Sequence, residues 1–281
     1  MRIAVTGSSG KLGSVTVERL RGDGHEVIGL DRAGAAGPGF TQVDLSDYGQ
    51  TLDALLGVTA RHTGVDALVH LAAIPVNGLV PDITTFQNNL AVTGNVLFAA
   101  LRADIHRVVA ASSITAMGFP FEVPPPRLPV DEEYTAAYNS YGLAKVMEEA
   151  MFGQLVGWDP QLSITALRFT NVVCADEYST FARATDPEYR RDLIGTYIDA
   201  RDGAQAVALA LAAGEPGFET YAVAAPDSGS AIPSRELANL WFPGVPVDPT
   251  LGDSDALIST RKAQEKLGFA AEHRWRDEFR Y

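Results

Sequence analysis

The chain has 281 residues, 46% of them hydrophobic and 20% charged, which suits one large α/β unit with a good core and argues against disorder or a fibrous repeat. Its formal net charge of −13 repels polyanions, so nucleic acid is not an expected partner. No apolar run approaches the roughly 20 residues that crossing a bilayer requires, and no charged and apolar signal segment opens the chain, so no membrane partner and a cytoplasmic location are expected. Cys174, the single cysteine, permits no intrachain disulfide and reads as a small buried hydrophobe rather than a reactive thiol.

In chain order, short β-rich runs at 2–6, 26–30, 40–43, 67–70, 107–111 and 163–168 alternate with helical periodicity at 11–21, 48–56, 83–102 and 138–156. That alternation predicts βαβ units in a parallel, doubly wound sheet. Five prolines in FPFEVPPPRLP (119–129) rule out regular structure there and predict a long loop at the carboxyl end of the sheet, where ligands bind in such folds. Beyond Arg168 the pattern loosens. A polar irregular stretch at 176–191 precedes a helix at 203–213, for which Asp202 and Gln205 suggest a capping box. A strand near 219–224 and helices near 234–240 and 260–267 are too short for a separate fold and predict a small cap over the site. The expected division is a dinucleotide-binding unit at 1–168 and a substrate-binding region at 169–281, partly packed back on it.

IAVTGSSGKLG (3–13) places Gly7, Gly10 and Gly13 between a strand and a helix. The first glycine allows the tight turn, the second lets backbone approach a pyrophosphate, and the third lets elements pack closely; the helix N-terminus then offers unpaired N–H groups to the phosphates. Strand EVIGLD ends on Asp31, 18 residues after Gly13, where a carboxylate can accept hydrogen bonds from the adenosine ribose. An acid there repels a 2′-phosphate and favours NAD over NADP, although Arg32 beside it could hold such a phosphate. Asp44, after the third strand, fits either an adenine contact or a surface N-cap.

YGLAK (141–145) sets Tyr141 and Lys145 on one helix face a turn apart. A nearby ammonium favours the phenolate, so Tyr141 could take a proton from a substrate hydroxyl while hydride passes to a nicotinamide. The strand RVVAASS runs into a serine pair that could hydrogen-bond the same oxygen. His70 and Asp66 flank a strand without ligand spacing, so no metal site is expected.

These motifs together resemble the extended short-chain dehydrogenases, the NAD-dependent epimerase/dehydratase group, along nearly the whole chain. TGSSGKLG resembles the family's TGxxGxxG turn, HLAA (70–73) its strand-four motif, NLAVTGNV (89–96) its NxxxTxN helix, and LPVDEEYTAAYNSYGLAK (128–145) its acidic loop leading into YxxxK. The resemblance implies a Rossmann-type fold with Tyr141 as base, Lys145 lowering its pKa and binding the nicotinamide ribose, and Ser113 as the hydroxyl partner. It also implies a cofactor surface that includes Ser9, Lys11, Leu12, Leu45, Leu71, Ala72, Ala73 and Asn89, and a homodimer formed through the two long helices.

Departures from the family pattern narrow the reaction. Dehydratases of the group carry an acid pair after the catalytic hydroxyl, where this chain has Ile114 and Thr115. Nucleotide-sugar epimerases show RxxNxxGP and an RDYIHVxD arginine that grips the diphosphate. Here RFTNVV keeps Asn171, a candidate substrate contact, but Gly195 stands where that arginine should be. RDLIGTYIDARD (191–202) resembles instead a stretch of the uronate dehydrogenases, in which Arg191, or else Arg190 or Arg183, would hold a carboxylate. The expected activity is oxidation of a hydroxyl on a free sugar, sugar acid or similar small polyol, with a sugar-nucleotide 4-epimerase and a non-catalytic dinucleotide sensor as alternatives.

Overall fold

A computed structural model describes residues 1–35, 37–58 and 62–279. The alternation read from the sequence folds as expected: β1 (Arg2–Thr6), α1 (Lys11–Gly22), β2 (Glu26–Asp31), β3 (Phe40–Gln42), α2 (Tyr48–Leu56), β4 (Ala67–His70), α3 (Asp82–Arg102), β5 (Arg107–Ser113), α4 (Ser140–Leu155) and β6 (Ser163–Phe169). The strands lie in the order β3-β2-β1-β4-β5-β6, all parallel, and a seventh strand, β9 (Gly217–Val223), pairs parallel with β6. Order reverses between β1 and β4, and the crevice at their carboxyl ends is the binding position of this architecture.

Alternation along each strand feeds two cores. Ala4, Ile28, Leu30, Leu68 and Val108 face α2, α3 and α4, packing with Leu55, Val96 and Phe152. Ile3, Val5, Val27, Val69 and Val109 face the other way, onto Val17 and Leu20 of α1 and Val207 and Leu211 of α5 (Ala200–Ala213). A strand buried on both sides needs such continuous apolar runs, and β6 is buried at every position.

The sheet itself crosses the boundary expected at 168/169. β9 was expected to help cap the site; it is instead the outer strand of the main sheet, with α5 packed across α1. The short strands β7 (Val172–Val173) and β8 (Ile198–Asp199) form a separate pair. A small third core joins the proline-rich segment, through Phe119, Leu128 and Val130, to Trp241, Phe242 and Leu257 of the C-terminal region. That region includes α6 (Ser234–Trp241), α7 (Arg261–Leu267) and α8 (Trp275–Glu278).

The capping box proposed at Asp202 is corrected. The N-cap of α5 is Asp199, whose side chain accepts from Arg201 N, and the helix starts at Ala200. Asp202 is buried and accepts from the backbone N–H and Nδ1 of His273, at 2.9 and 2.8 Å, tying α5 to the C-terminal tail. Among the described residues no helix is long and apolar enough to cross a membrane, and no cluster of His, Cys, Asp and Glu could hold a metal.

Candidate active site

A cleft of about 820 Å³ opens at the carboxyl ends of the strands. Its floor is the turn between β1 and α1. Gly7 has φ +67°, and a Cβ there would lie 2.7 Å from Ala72 N; a Cβ on Gly13 would lie 2.0 Å from the Gly7 carbonyl oxygen. Only glycine allows the turn to sit so close to the chain leaving β4. Helix α1 has Gly10 as N-cap and no side-chain cap, so its first N–H groups keep no side-chain partner where Gly10, Lys11, Leu12 and Gly13 line the cleft. A cradle of this shape, with free N–H groups at a helix start, fits a diphosphate, and the fit to a dinucleotide rests on it.

At one end of the cleft lie Asp31, Arg32, Asp44, Leu45 and Ser46. Asp31 Oδ2 accepts from Ser9 N at 3.0 Å, binding the acid to the glycine turn. Asp44 lines the cleft but is not the N-cap of α2, which is Asp47; its carboxylate accepts from Ser46 N and Oγ, and those bonds hold it below the usual carboxylate range. Lys11 also lines the cleft, with its ammonium 2.7 Å from Glu177.

At the other end, β5 delivers Ser113 and α4 delivers Tyr141 and Lys145. The Asn139 side chain caps α4 by accepting from Gly142 N at 2.8 Å, so Tyr141 falls in the first turn, beside the 3-10 turn Ile114–Ala116. Ser113 Oγ accepts from Thr115 N at 3.1 Å. Its neighbour Ser112 donates to Glu149 at 2.5 Å, and Glu149 pairs with buried Arg168 at 2.7 Å, pinning α4 to β6. Lys145 Nζ lies 5.7 Å from the Tyr141 ring centre, donates to the Ala111 carbonyl at 2.9 Å and pairs with Glu148 at 2.8 Å.

Burial pushes the Tyr141 phenol above its ordinary pKa, while Lys145 and a hydrogen bond with Ser113 pull it down and Glu148 adds to the rise. The expected lowering by Lys145 is thus present, but burial outweighs it. Burial also works against the charge on Lys145, yet attraction from Glu148 and Tyr141 outweighs it and raises the ammonium's pKa. Burial raises the Glu148 pKa, with Lys145 and the Thr93 hydroxyl pulling the other way.

Ser9, Leu71, Ala72, Ala73 and Asn171 also face the cleft. Asn89 does not. It is buried, its amide accepting from Ile74 N at 2.8 Å and donating to Ile74 O at 3.0 Å, so it fixes the wall segment after β4 from behind. Arg191 is also apart from the cleft: it lines a shallower adjoining recess, half exposed and paired with Glu188 at 3.1 Å. Arg190 stacks on Phe181 at 4.6 Å and donates to Asn171 and the Thr196 carbonyl, and Arg183 pairs with Asp186. Cleft residues that sequence reasoning missed include Asn77, Thr115, Pro120, Asn139, Thr170 and Leu193. Of these only Pro120 had a signal, in the proline-rich loop; the others reach the cleft through loop paths that no periodicity encodes. Cys174 is half-buried rather than buried, and burial raises its thiol pKa, which disfavours the thiolate.

A model of the NAD-dependent epimerase/dehydratase family matches residues 3–224. The chain belongs to that family. Family membership and fold together make NAD its cofactor. Its relatives include a UDP-glucose 4-epimerase of Haemophilus influenzae, 31% identical over 63% of this chain and 55% of that protein. They also include an L-arabinose 1-dehydrogenase (NAD(P)(+)) of Haloferax volcanii, 35% identical over 63% of this chain and 69% of that one. A UDP-glucose 4-epimerase from Stenotrophomonas maltophila, solved with NAD and formylated UDP-arabinopyranose, shares the fold with a TM-score of 0.72, covering 99% of this chain and 95% of its own at 24% identity. The chain spans little more than half the length of the curated epimerase relatives it matches, 55% and 53% for two of them.

Proposed function

We propose that this family member is an NAD-dependent dehydrogenase that oxidises a hydroxyl of a small free sugar. The observation that carries the reading is the backbone at Gly195. Its φ is +73° and a Cβ there would stand 2.7 Å from Ser228 Oγ, so where nucleotide-sugar epimerases carry a diphosphate-gripping arginine this chain has a glycine in a backbone conformation that L side chains rarely adopt. Apart from Lys145, the wall around Ser113 and Tyr141 includes Asn77, Ile114, Thr115, Pro120, Asn139, Thr170, Asn171 and Leu193, polar but uncharged or apolar. With Arg191 paired to Glu188, no arginine among the described residues lines that end of the cleft to hold a carboxylate, which favours a neutral sugar over a sugar acid.

In this reading Gly7, Gly10, Gly13, the start of α1 and Asp31 hold the dinucleotide. NAD, when bound, supplies the acceptor for the hydride that leaves the sugar carbon. Ser113 and Tyr141 hydrogen-bond the reacting hydroxyl, and the Tyr141 phenolate takes its proton as the C–O bond becomes a carbonyl. Lys145 stabilises that phenolate by its charge and offers an N–H to the cofactor ribose.

UDP-glucose 4-epimerases recur among the relatives, and 4-epimerisation is the second reading, since it uses the same serine, tyrosine and lysine without net redox. Incubation with NAD and, separately, neutral aldoses, uronates and UDP-sugars distinguishes the two. NADH formation with a neutral aldose and none in Tyr141→Phe is expected. Interconversion of UDP-sugars without NADH, or NADH with uronates alone, would overturn the reading. We also infer that two chains pair through α3 and α4, whose outer faces leave Phe98, Leu143 and Met147 more than 40% exposed; a monomer in sedimentation would sink this.

A further inference from the structure

Two adjacent acids on α4 have different surroundings. Glu149 is fully engaged: Ser112 and the Arg168 Nε reach its Oε1, and Arg168 Nη2 reaches its Oε2. Glu148 is as deeply buried, but among the described residues its only ion-pair partner is Lys145, through Oε2; the Thr93 hydroxyl is a further polar neighbour, yet Oε1 is left without a well-formed hydrogen bond. Removing a carboxylate from water is costly, and one ion pair does not fully recover that cost. A pair so incompletely satisfied contributes little to folding.

What the pair does accomplish is geometric and electrostatic. An ammonium has three N–H donors. In Lys145 one goes to the Ala111 carbonyl at 2.9 Å and one to Glu148 at 2.8 Å, so the rotation of the group is fixed and the third donor is left for the cleft that Lys145 lines. We propose that Glu148 is a positioning residue for Tyr141 and Lys145, aiming the ammonium at the cofactor ribose and setting, by its charge, the pH window in which the two groups work. This rests on the proposed dehydrogenase chemistry.

The sign follows from charge. A carboxylate beside both groups favours the protonated form of each, and Glu148 raises the pKa of both Tyr141 and Lys145. The other ionisable groups facing the pair leave this effect unopposed. Glu149 on the same helix is paired with Arg168 from β6, and His70 from β4, bonded to Thr6 and Thr93, is held neutral with its pKa pushed down to about 3 by burial and by Lys145. Oxidation needs Tyr141 without its proton and Lys145 with one. Loss of the Glu148 charge therefore moves both limbs of the activity profile to lower pH.

The test is Glu148→Gln, which keeps the shape and removes the charge. Both limbs of kcat/KM against pH are expected to move acidward by about one pH unit. NAD affinity, measured by calorimetry, is expected to fall about fivefold at high pH, where the unpaired lysine loses its proton, and to hold near pH 6. A profile superimposable on the parent's, with NAD affinity reduced equally at both pH values, would mark a merely structural residue and overturn the proposal. If the glutamine variant does not fold, Glu148→Asp decides: the charge is kept but withdrawn by one methylene, so smaller shifts of the same sign support the proposal, and a protein indistinguishable from the parent overturns it. A parent that binds NAD but oxidises no sugar would defeat the functional reading, while the pH dependence of NAD affinity would still test Glu148.

Discussion

Gly142 rests on Thr115: a Cβ on the glycine would stand 2.8 Å from the Thr115 carbonyl oxygen. This backbone contact seats the first turn of α4 against the end of β5 and brings Tyr141 and Ser113 to one end of the cleft. In Gly142→Ala neither partner is a flexible side chain, so one backbone must move. Alanine adds about 1 kcal/mol of helix propensity, which offsets part of the overlap, so catalysis is a better readout than melting. A fall in kcat of about tenfold to a hundredfold is expected, with NAD affinity kept. An unchanged kcat would mean that the close approach does not position the base.

Asp31 joins the end of β2 to the glycine turn through Ser9 N. Asp31→Ala loses that tie and the acceptor for the adenosine ribose. Charged hydrogen bonds are worth about 1.5–3 kcal/mol each, so NAD affinity is expected to fall about tenfold to a hundredfold. The NADP-to-NAD affinity ratio should rise at the same time, because Arg32 remains at that end of the cleft. Calorimetry with both nucleotides checks this, and unchanged NAD affinity would remove Asp31 from the site.

In the proposed oxidation Tyr141 acts without its proton, and burial holds its pKa above the ordinary value. Oxidation should therefore gain rate steadily as pH rises through neutrality, and reduction, which needs the phenol, should gain as pH falls. Initial rates in both directions across pH are the measurement; an oxidation rate flat from pH 6 upward would exclude Tyr141 as the titrating base.

The parallel sheet was legible because strands buried on both faces need unbroken apolar runs, and the cofactor turn because Gly7 and Gly13 answer to backbone geometry within a few residues. The Tyr141 and Lys145 pairing is local to one helix turn and was legible for the same reason. Residues whose roles depend on distant partners were not. Asn89 reads as a cofactor contact until Ile74 is seen to occupy both ends of its amide. Asp202 reads as a cap until His273 arrives from the far end of the chain. Glu148 looks like an ordinary polar helix position, because nothing in sequence reveals that this face of α4 is sealed.

His70 predicts a specific acid sensitivity. Buried between Thr6 and Thr93, it has a folded-state pKa of about 3 against an ordinary 6.5. Above pH 6.5 it is neutral whether folded or unfolded and costs nothing. As pH falls from 6.5 towards 3 only the unfolded chain takes the proton, so stability is lost progressively across that window. In His70→Gln this component is absent. Denaturant midpoints near neutrality are expected to favour the parent, which keeps its buried bonds, and the difference should shrink as pH approaches 4. A difference that stays constant with pH would show that His70 does not titrate in the window.

Arg191 separates a neutral substrate from an acidic one. Its side chain is 52% exposed and paired with Glu188, in the recess beside the cleft rather than in it. An exposed pair of this kind contributes at most about 1 kcal/mol, so Arg191→Ala should leave melting nearly unchanged. If the substrate is a neutral sugar, KM and kcat should also stay within about twofold, since no bidentate contact is lost. A carboxylate held by Arg191 would make the same substitution raise KM by about tenfold or more. The substitution therefore reports on substrate charge without touching the serine, tyrosine and lysine that both readings share, and a large KM effect would favour a sugar acid over a neutral sugar.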